Sequence, residues 1–478
     1  MNANQPDRPT DETDDLIAAE QQPVAETPPA QDSRSLRRRV LDLAWPVIGE
    51  NFMDTLLGIV DIFLVGRLGA EAIAGVGTAV QVLFFVISAL SALSVGSAVL
   101  VAQAYGGRDF RTANRLARQS ILWSAIIGLP LAAGGLLSAE WIVGLFGLEP
   151  AVTAIGVDYL KVTMGTSVVV SMLMLGGGIL RGADDSRTPM LVKMVANVVN
   201  VGLTYGLIFG AFGLPELGVV GSAWGTFLAR SLALAMLLAV LWRGRNGVSI
   251  RGAGSWRPNR KVAQQILQIG VPAALEQVLI STAFFFLTMA VGRLGTLTFA
   301  AHRIVMSAMS LSFLPGIGFS LAATSLVGQS LGAKRPADGA GAAGIATTWA
   351  LLWMSSIGVL LFSLAPQIMG LFSQDPAVIA IGAGGLRAIS LSQPFWAIYF
   401  VNGGAMRGSG NTQFPLLVNA SGMWISVGLA YLFINTMAAN LVAVWSAFLC
   451  VAPFTAVIMR WRFRKVIGEA IADLAEND

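Results

Sequence analysis

The chain has 478 residues, 55% of them hydrophobic and 12% charged, with a formal net charge of +4. Soluble domains carry roughly a quarter charged residues, so this composition excludes an ordinary water-soluble enzyme and points to a polytopic membrane protein. One histidine and one cysteine, His302 and Cys450, leave no material for a multi-ligand metal site or an internal disulfide.

Residues 1 to 35 hold Asp7, Asp11, Glu12, Asp14, Asp15, Glu20, Glu26 and Asp32 against Arg8 and Arg34, and no aromatic residue. Without the apolar core of a signal peptide, this stretch is expected to be a disordered cytoplasmic tail. From Val40 onward twelve apolar stretches follow. They cover 41 to 66, 72 to 104, 113 to 137, 151 to 180, 189 to 211, 216 to 242, 262 to 292, 296 to 330, 339 to 369, 376 to 406, 415 to 435 and 439 to 461. Twelve spans of about 20 residues need roughly 240 residues, which the hydrophobic content supplies. The fold expected is an all-α polytopic membrane protein of twelve transmembrane helices.

Basic residues fall on alternate sides. Arg37 to Arg39, then Arg108, Arg111, Arg115 and Arg118, then Arg181 and Arg187, share one side with the stretch from Arg243 to Lys261. Lys334, Arg335, Arg407 and Arg460 to Lys465 continue it, while the opposite loops around Glu140, Glu149, Glu216 and Asp375 carry few bases. The positive-inside rule makes the basic loops and both termini cytoplasmic. The charge thus serves topology, and no nucleic-acid partner is expected.

The sequence VGRLG occurs at Val65 to Gly69 and again at Val291 to Gly295, an offset of 226 residues. The same offset pairs Pro46 with Pro272, Glu50 with Glu276, Gln103 with Gln329, Arg181-Gly182 with Arg407-Gly408, and Tyr205 with Tyr431. Shared Pro, Glu, Gln and Arg-Gly are hard to obtain from apolar bias alone. The chain therefore reads as a duplicated six-helix unit. Six is even, so both copies enter the membrane in the same orientation and form two pseudo-symmetric bundles about an axis along the membrane normal. The expected division is an N-terminal lobe at 36–243, a linker at 244–261, a C-terminal lobe at 262–461 and a cytoplasmic tail at 462–478. A two-lobed chain encloses its own path and is expected to act as a monomer.

The first span contains Glu50, Asp54 and Asp61. Each would cost about 2.5–3.5 kcal/mol facing lipid near the bilayer centre. At 100° per residue the three fall on one strip, which must face protein or water. Glu50 and Glu276 stand one turn after a proline near the cytoplasmic helix start, where a structural role competes with a functional one. Asp61 sits at the opposite end, by the negative end of the helix dipole, and reads as the titrating, coupling acid; Asp54 stands between. Asn197, Asn200, Thr204 and Tyr205 in the fifth span and Gln277 in the seventh are candidates for a polar substrate pocket. Gln393, Tyr399 and Asn402 in the tenth are further intramembrane polar groups. Lys161 and Arg387 are read as structural, Lys161 with Asp158 as a candidate partner. His302 and Cys450 are read as packing residues, with proton sensing as the alternative for His302.

Several of these segments resemble the multidrug and toxic compound extrusion (MATE) family. They are WPVIGENFMDTLLGIVDIFLVGRLG from Trp45, VPAALEQ from Val271, RGADDSRTP from Arg181 and RGSGNTQFP from Arg407. The resemblance covers roughly residues 36 to 465. It implies cation-coupled export of amphipathic, often cationic compounds by rocking between outward-open and inward-open states in a cell membrane. Asp61 matches the first-helix aspartate on which proton-coupled and some sodium-coupled relatives depend, and Pro46 matches a proline at which that helix bends. Asn200 is kept, but Thr204 stands where an archaeal-type pattern has a second aspartate. Ile280 lies near the place of a seventh-helix glutamate, and Trp396 near that of a tenth-helix aspartate, so Glu276 does not inherit a coupling role by default. Protons at Asp61 are favoured over sodium, and no cofactor is implied. The alternative is a flippase for a lipid-linked oligosaccharide, the related superfamily's other activity, which an acidic strip serves poorly. No nucleophile motif, phosphate loop or filter repeat supports an enzyme or a channel.

Overall fold

A computed structural model describes residues 33–251, 256–436 and 440–477. The expected tail lies outside the described residues up to residue 32. Fourteen α-helices account for most of the described chain. They are α1 (Ser33–Gly66), α2 (Ala70–Gly106), α3 (Phe110–Gly144), α4 (Pro150–Gly182), α5 (Arg187–Phe209), α6 (Gly218–Arg243) and α7 (Arg260–Gly292). Then come α8 (Thr296–Gly332), α9 (Pro336–Ser363), α10 (Ala365–Phe372), α11 (Pro376–Ser390), α12 (Gln393–Gly408), α13 (Gln413–Thr436) and α14 (Leu441–Asn477).

Local chemistry sets these boundaries. Asp109 caps α3 by accepting from the Thr112 amide at 2.9 Å, and Asn259 caps α7 by accepting from Lys261 and Val262. Pro150, Pro336 and Pro376 open their helices, where a missing N–H costs nothing. Gly210 ends α5 in the left-handed conformation at φ 69°. Pro46 and Pro272 lie inside α1 and α7 without ending either helix.

Among the described residues ten helices, α2 to α9 with α13 and α14, are long and apolar enough to cross a membrane, where sequence reading expects twelve spans. The difference of two has two physical sources. The central run of α1 carries Glu50, Asp54 and Asp61, too much charge for an apolar span. The stretch expected at 376–406 is two helices, broken at Leu391 and Ser392, and Pro394 sits in the first turn of α12. The stretch expected at 339–369 also breaks, after Ser363 with Pro366 opening the short α10, but α9 before the break is still long enough to count as a span. The expected tail at 462–478 continues α14 as helix to Asn477.

The two sequence repeats build largely separate apolar cores. One joins Ala283, Leu287, Val305, Met354, Trp445 and neighbours of α7 to α14. The other side has cores around Leu175, Ile179, Leu237 and Leu241, and around Leu83, Val143, Leu160 and Met164. The first turns of α1 (Leu36, Val40, Leu43) join the second repeat's core, and Val262 and Ile266 of α7 join the first's. The repeats thus exchange the starts of their leading helices.

Where they meet, backbones come very close. A β-carbon at Gly106 would run into the carbonyl oxygen of Gln329, and one at Gly332 into that of Gln103. Gly96 and Gly270 admit the carbonyls of Ile266 and Ala92 in the same way. Gln103 Nε2 donates to the Gly408 carbonyl at 3.3 Å, and Gln329 Nε2 to the Gly182 carbonyl at 2.9 Å. These contacts lie at the ends of α2 and α8 that lead into the basic loops. Arg39 adds a link by donating to Gln329 at 2.7 Å and to Asp184 at 3.3 Å.

Candidate functional site

The acidic strip of α1 opens onto a cavity of about 530 Å³ inside the first repeat. Val47, Glu50, Asn51, Asp54, Leu57, Gly58 and Asp61 line it, a spacing that puts one helix face along its length. The remaining walls come from α4 (Arg181), α5 (Lys193, Asn197, Asn200) and α6 (Arg230), with a few residues from α2 and α8.

The strip is not left acidic. Arg181 Nη1 lies 3.3 Å from Glu50 Oε2, and Lys193 Nζ bridges Glu50 Oε1 at 3.0 Å and Asp54 Oδ2 at 2.6 Å. Those two acids are therefore spent on fixing α1 to α4 and α5. Asp61 differs: its Oδ1 is buried with no hydrogen-bond partner, and the charge of Arg230 acts on it without an ion pair closing between them. Tyr159 of α4 stands close enough to feel both charges. Asn200 donates to Thr226 at 3.1 Å and accepts from Thr204 at 3.4 Å, which closes a small network behind the cavity wall.

The second repeat keeps the anchor and loses the cavity. Arg407 Nη1 lies 3.0 Å from Glu276 Oε1, at the repeat positions of Arg181 and Glu50. Asn419, at the repeat position of Lys193, also donates to Glu276. Positions 54 and 61 become Ile280 and Leu287, and α14 lines the corresponding space with Phe448, Val451, Ala452 and Thr455, none of them charged. Phe395, Trp396, Tyr399, Met423 and Phe448 crowd the corresponding space, leaving about 20 Å³, room for a water and little more.

The structure thus brings together Glu50, Asp54, Asp61, Asn197 and Asn200 of the sequence candidates, with Thr204 just behind them. It does not bring Tyr205, which is exposed and packs on Phe209 and Phe212. Nor does it bring Gln277, which is exposed on α7, or Glu276, which is buried in its ion pair. Lys161 pairs with Glu140 at 2.9 Å rather than with Asp158, and Arg387 donates to the Phe362 carbonyl. His302 is buried and stacked on Trp445 at 5.4 Å between centroids, while Cys450 is exposed on α14. Among the described residues no group of three His, Cys, Asp or Glu is placed to hold a metal ion. Sequence reading missed Arg181, Lys193 and Arg230 as cavity residues. A repeat comparison carries part of the signal: Asp54 and Lys193 both become neutral at the same offset, as Ile280 and Asn419.

Comparison with known proteins places this architecture. The MatE family model matches residues 46–206 and again 272–432, the same offset as the internal repeat. The chain belongs to the multidrug and toxic compound extrusion family, and is a multi-pass membrane transporter rather than an enzyme. A probable multidrug resistance protein NorM of Thermotoga maritima is 32% identical over 419 residues, covering 87% of this chain and 90% of that one. The multidrug resistance protein PmpM of Pseudomonas aeruginosa is 29% identical over 406 residues, covering 82% and 83%. The outward-facing structure of a multidrug resistance MATE transporter of the MOP superfamily superposes with a TM-score of 0.85 at 23% identity, over 91% of this chain and 97% of that one. It shows the same fold.

Proposed function

We propose that this protein exports amphipathic organic compounds bearing a cationic centre across the cell inner membrane, in exchange for protons, by rocking two six-helix lobes. In this reading α1 crosses the membrane with its acids turned inward, α9 and α10 form one span, and α11 and α12 form another. That restores twelve crossings, with both termini cytoplasmic. The chain works as a monomer, because the path lies within it.

The observation that carries the reading is Asp61. Of the three acids lining the cavity it is the one held by no ion pair, and one of its oxygens is buried and unpartnered. A carboxylate left open in a cavity of drug size can hold a proton or a cationic substrate, but not both well. That exclusion is what exchange requires: each ligand shifts the other's occupancy by the same factor. The glycine-lined contact between the repeats supplies the surface on which the lobes separate, since it is closed at the basic-loop end here.

Proton release on substrate binding tests this. In weakly buffered detergent solution, adding a transported cation to purified protein is expected to release protons, and Asp61→Asn to release none. Binding without proton release from the wild type would overturn the exchange at Asp61.

A further inference from the structure

The cavity presents more unanswered polarity than a lone cation needs. Four buried polar atoms in its wall lack a hydrogen-bond partner: Asp61 Oδ1, Arg230 Nη1, Asn51 Nδ2 and Asn197 Nδ2. One is an acceptor and three are donors. Buried groups of this kind are costly to leave unpaired. A cationic substrate answers Asp61 alone and leaves a permanent guanidinium facing it, since arginine stays protonated in proteins.

The internal repeat shows that the guanidinium is not needed to build the fold. At the offset of 226 residues Asp61 becomes the buried Leu287, and where α6 brings Arg230 to the cavity α14 brings Val451, Ala452 and Thr455, none of them a base, while the structural pair of Glu50 with Arg181 persists as Glu276 with Arg407. Acid and base are present together in the repeat that has the cavity and absent together in the repeat that is filled. Arg230 is therefore tied to what the cavity holds.

We propose that Asp61 and Arg230 form a two-pole site for a zwitterionic amphipath: an ammonium or iminium group at Asp61, and a carboxylate at Arg230 with the amides of Asn51 and Asn197 beside it. The planar guanidinium fork suits a carboxylate, and charge-assisted hydrogen bonds of this kind are among the strong ones. The inference rests on the export reading above and narrows its substrate class from cations to molecules carrying both charges. Arg230 is a specificity-determining residue in this account, and the proton that enters at Asp61 displaces the cationic pole only.

The test uses the full chain in proteoliposomes and one rhodamine dye in two forms, the zwitterionic free acid and its cationic methyl ester. Under the same driving gradient the wild type is expected to take up the free acid with a KM about tenfold below that of the ester, the size of one charge-assisted hydrogen bond. Arg230→Gln is expected to abolish that ratio and Arg230→Lys to keep part of it. The double variant Asp61→Leu with Arg230→Ala, which removes both poles and leaves the pocket uncharged there as in the filled repeat, is expected to bind both forms weakly while staying folded. Should Arg230→Gln not fold, competition in the wild type decides: the free acid must inhibit ester uptake at lower concentration than an uncharged amide of the dye. Equal handling of both forms by the wild type, or equal loss of both in Arg230→Gln, would overturn the two-pole site and leave export intact. Movement of neither form under any gradient would overturn the export reading itself, and this inference with it.

Discussion

Gln103 and Gln329 make the same hydrogen bond in opposite directions across the repeat boundary: Gln103 to the Gly408 carbonyl at 3.3 Å, Gln329 to the Gly182 carbonyl at 2.9 Å. The donors are repeat mates, and so are the acceptors. Gly106 and Gly332 let the two helix ends approach without a side chain between them. Gly332→Ala is expected to push these ends apart, at a cost of about 1–3 kcal/mol to the closed arrangement. Spin labels across the basic-loop ends should report a longer distance, with export reduced several-fold. Gly344→Ala, where a β-carbon meets nothing within 4 Å, should change neither.

Lys193 holds two carboxylates; its loss leaves Glu50 with Arg181 and strands Asp54. Lys193→Ala is expected to destabilise the protein by about 1–3 kcal/mol, because the stranded Asp54 is partly exposed and the buried Glu50 keeps Arg181. The double variant Asp54→Ile with Lys193→Asn, which copies the second repeat's Ile280 and Asn419, should recover most of that loss. Thermal unfolding in detergent measures both.

Glu276 and Asp61 should separate stability from coupling. Glu276→Gln breaks the pair with Arg407 and is expected to cost about 3 kcal/mol, while the protein that remains folded still responds to the same driving ion. Asp61→Asn is expected to leave unfolding within about 1 kcal/mol of wild type, because Asp61 closes no ion pair, and to remove the response to the ion. Comparing melting temperature with export per folded molecule distinguishes them.

At the start of α3 the Thr112 hydroxyl and amide hold the Asp109 carboxyl below its ordinary range. A carboxyl lowered in the fold contributes stability above its unfolded pKa and loses it as pH falls through the folded value. Asp109→Ala should therefore cost about 1 kcal/mol near neutrality, and the difference from wild type should vanish in acid. Unfolding curves collected down a pH series check the sign.

The sequence made several of these features legible. The repeat and the acidic strip depend on chain order and on the geometry of single helices, and the structure keeps both. Which residues answer the strip depends on how α5 and α6 are rotated against α1, and the periodicity of one helix does not encode that. Helix periodicity therefore misses both Lys193 and Arg230, and of the two only Lys193 is signalled by the repeat comparison. Tyr205 shows the opposite error: it follows Thr204, and a step of 100° around the helix turns one inward and the other out. The breaks at Leu391 and Ser363 lie inside long apolar runs, where hydropathy is continuous and only Pro394 and Pro366 mark the new helix starts.

The most direct test of the account is efflux of a cationic dye from proteoliposomes driven by a proton gradient alone and then by a sodium gradient alone, with wild type and Asp61→Asn compared. The account predicts proton-driven efflux by the wild type, none by Asp61→Asn, and no response to sodium. Efflux driven by sodium alone, or proton-driven efflux that survives Asp61→Asn, would contradict it.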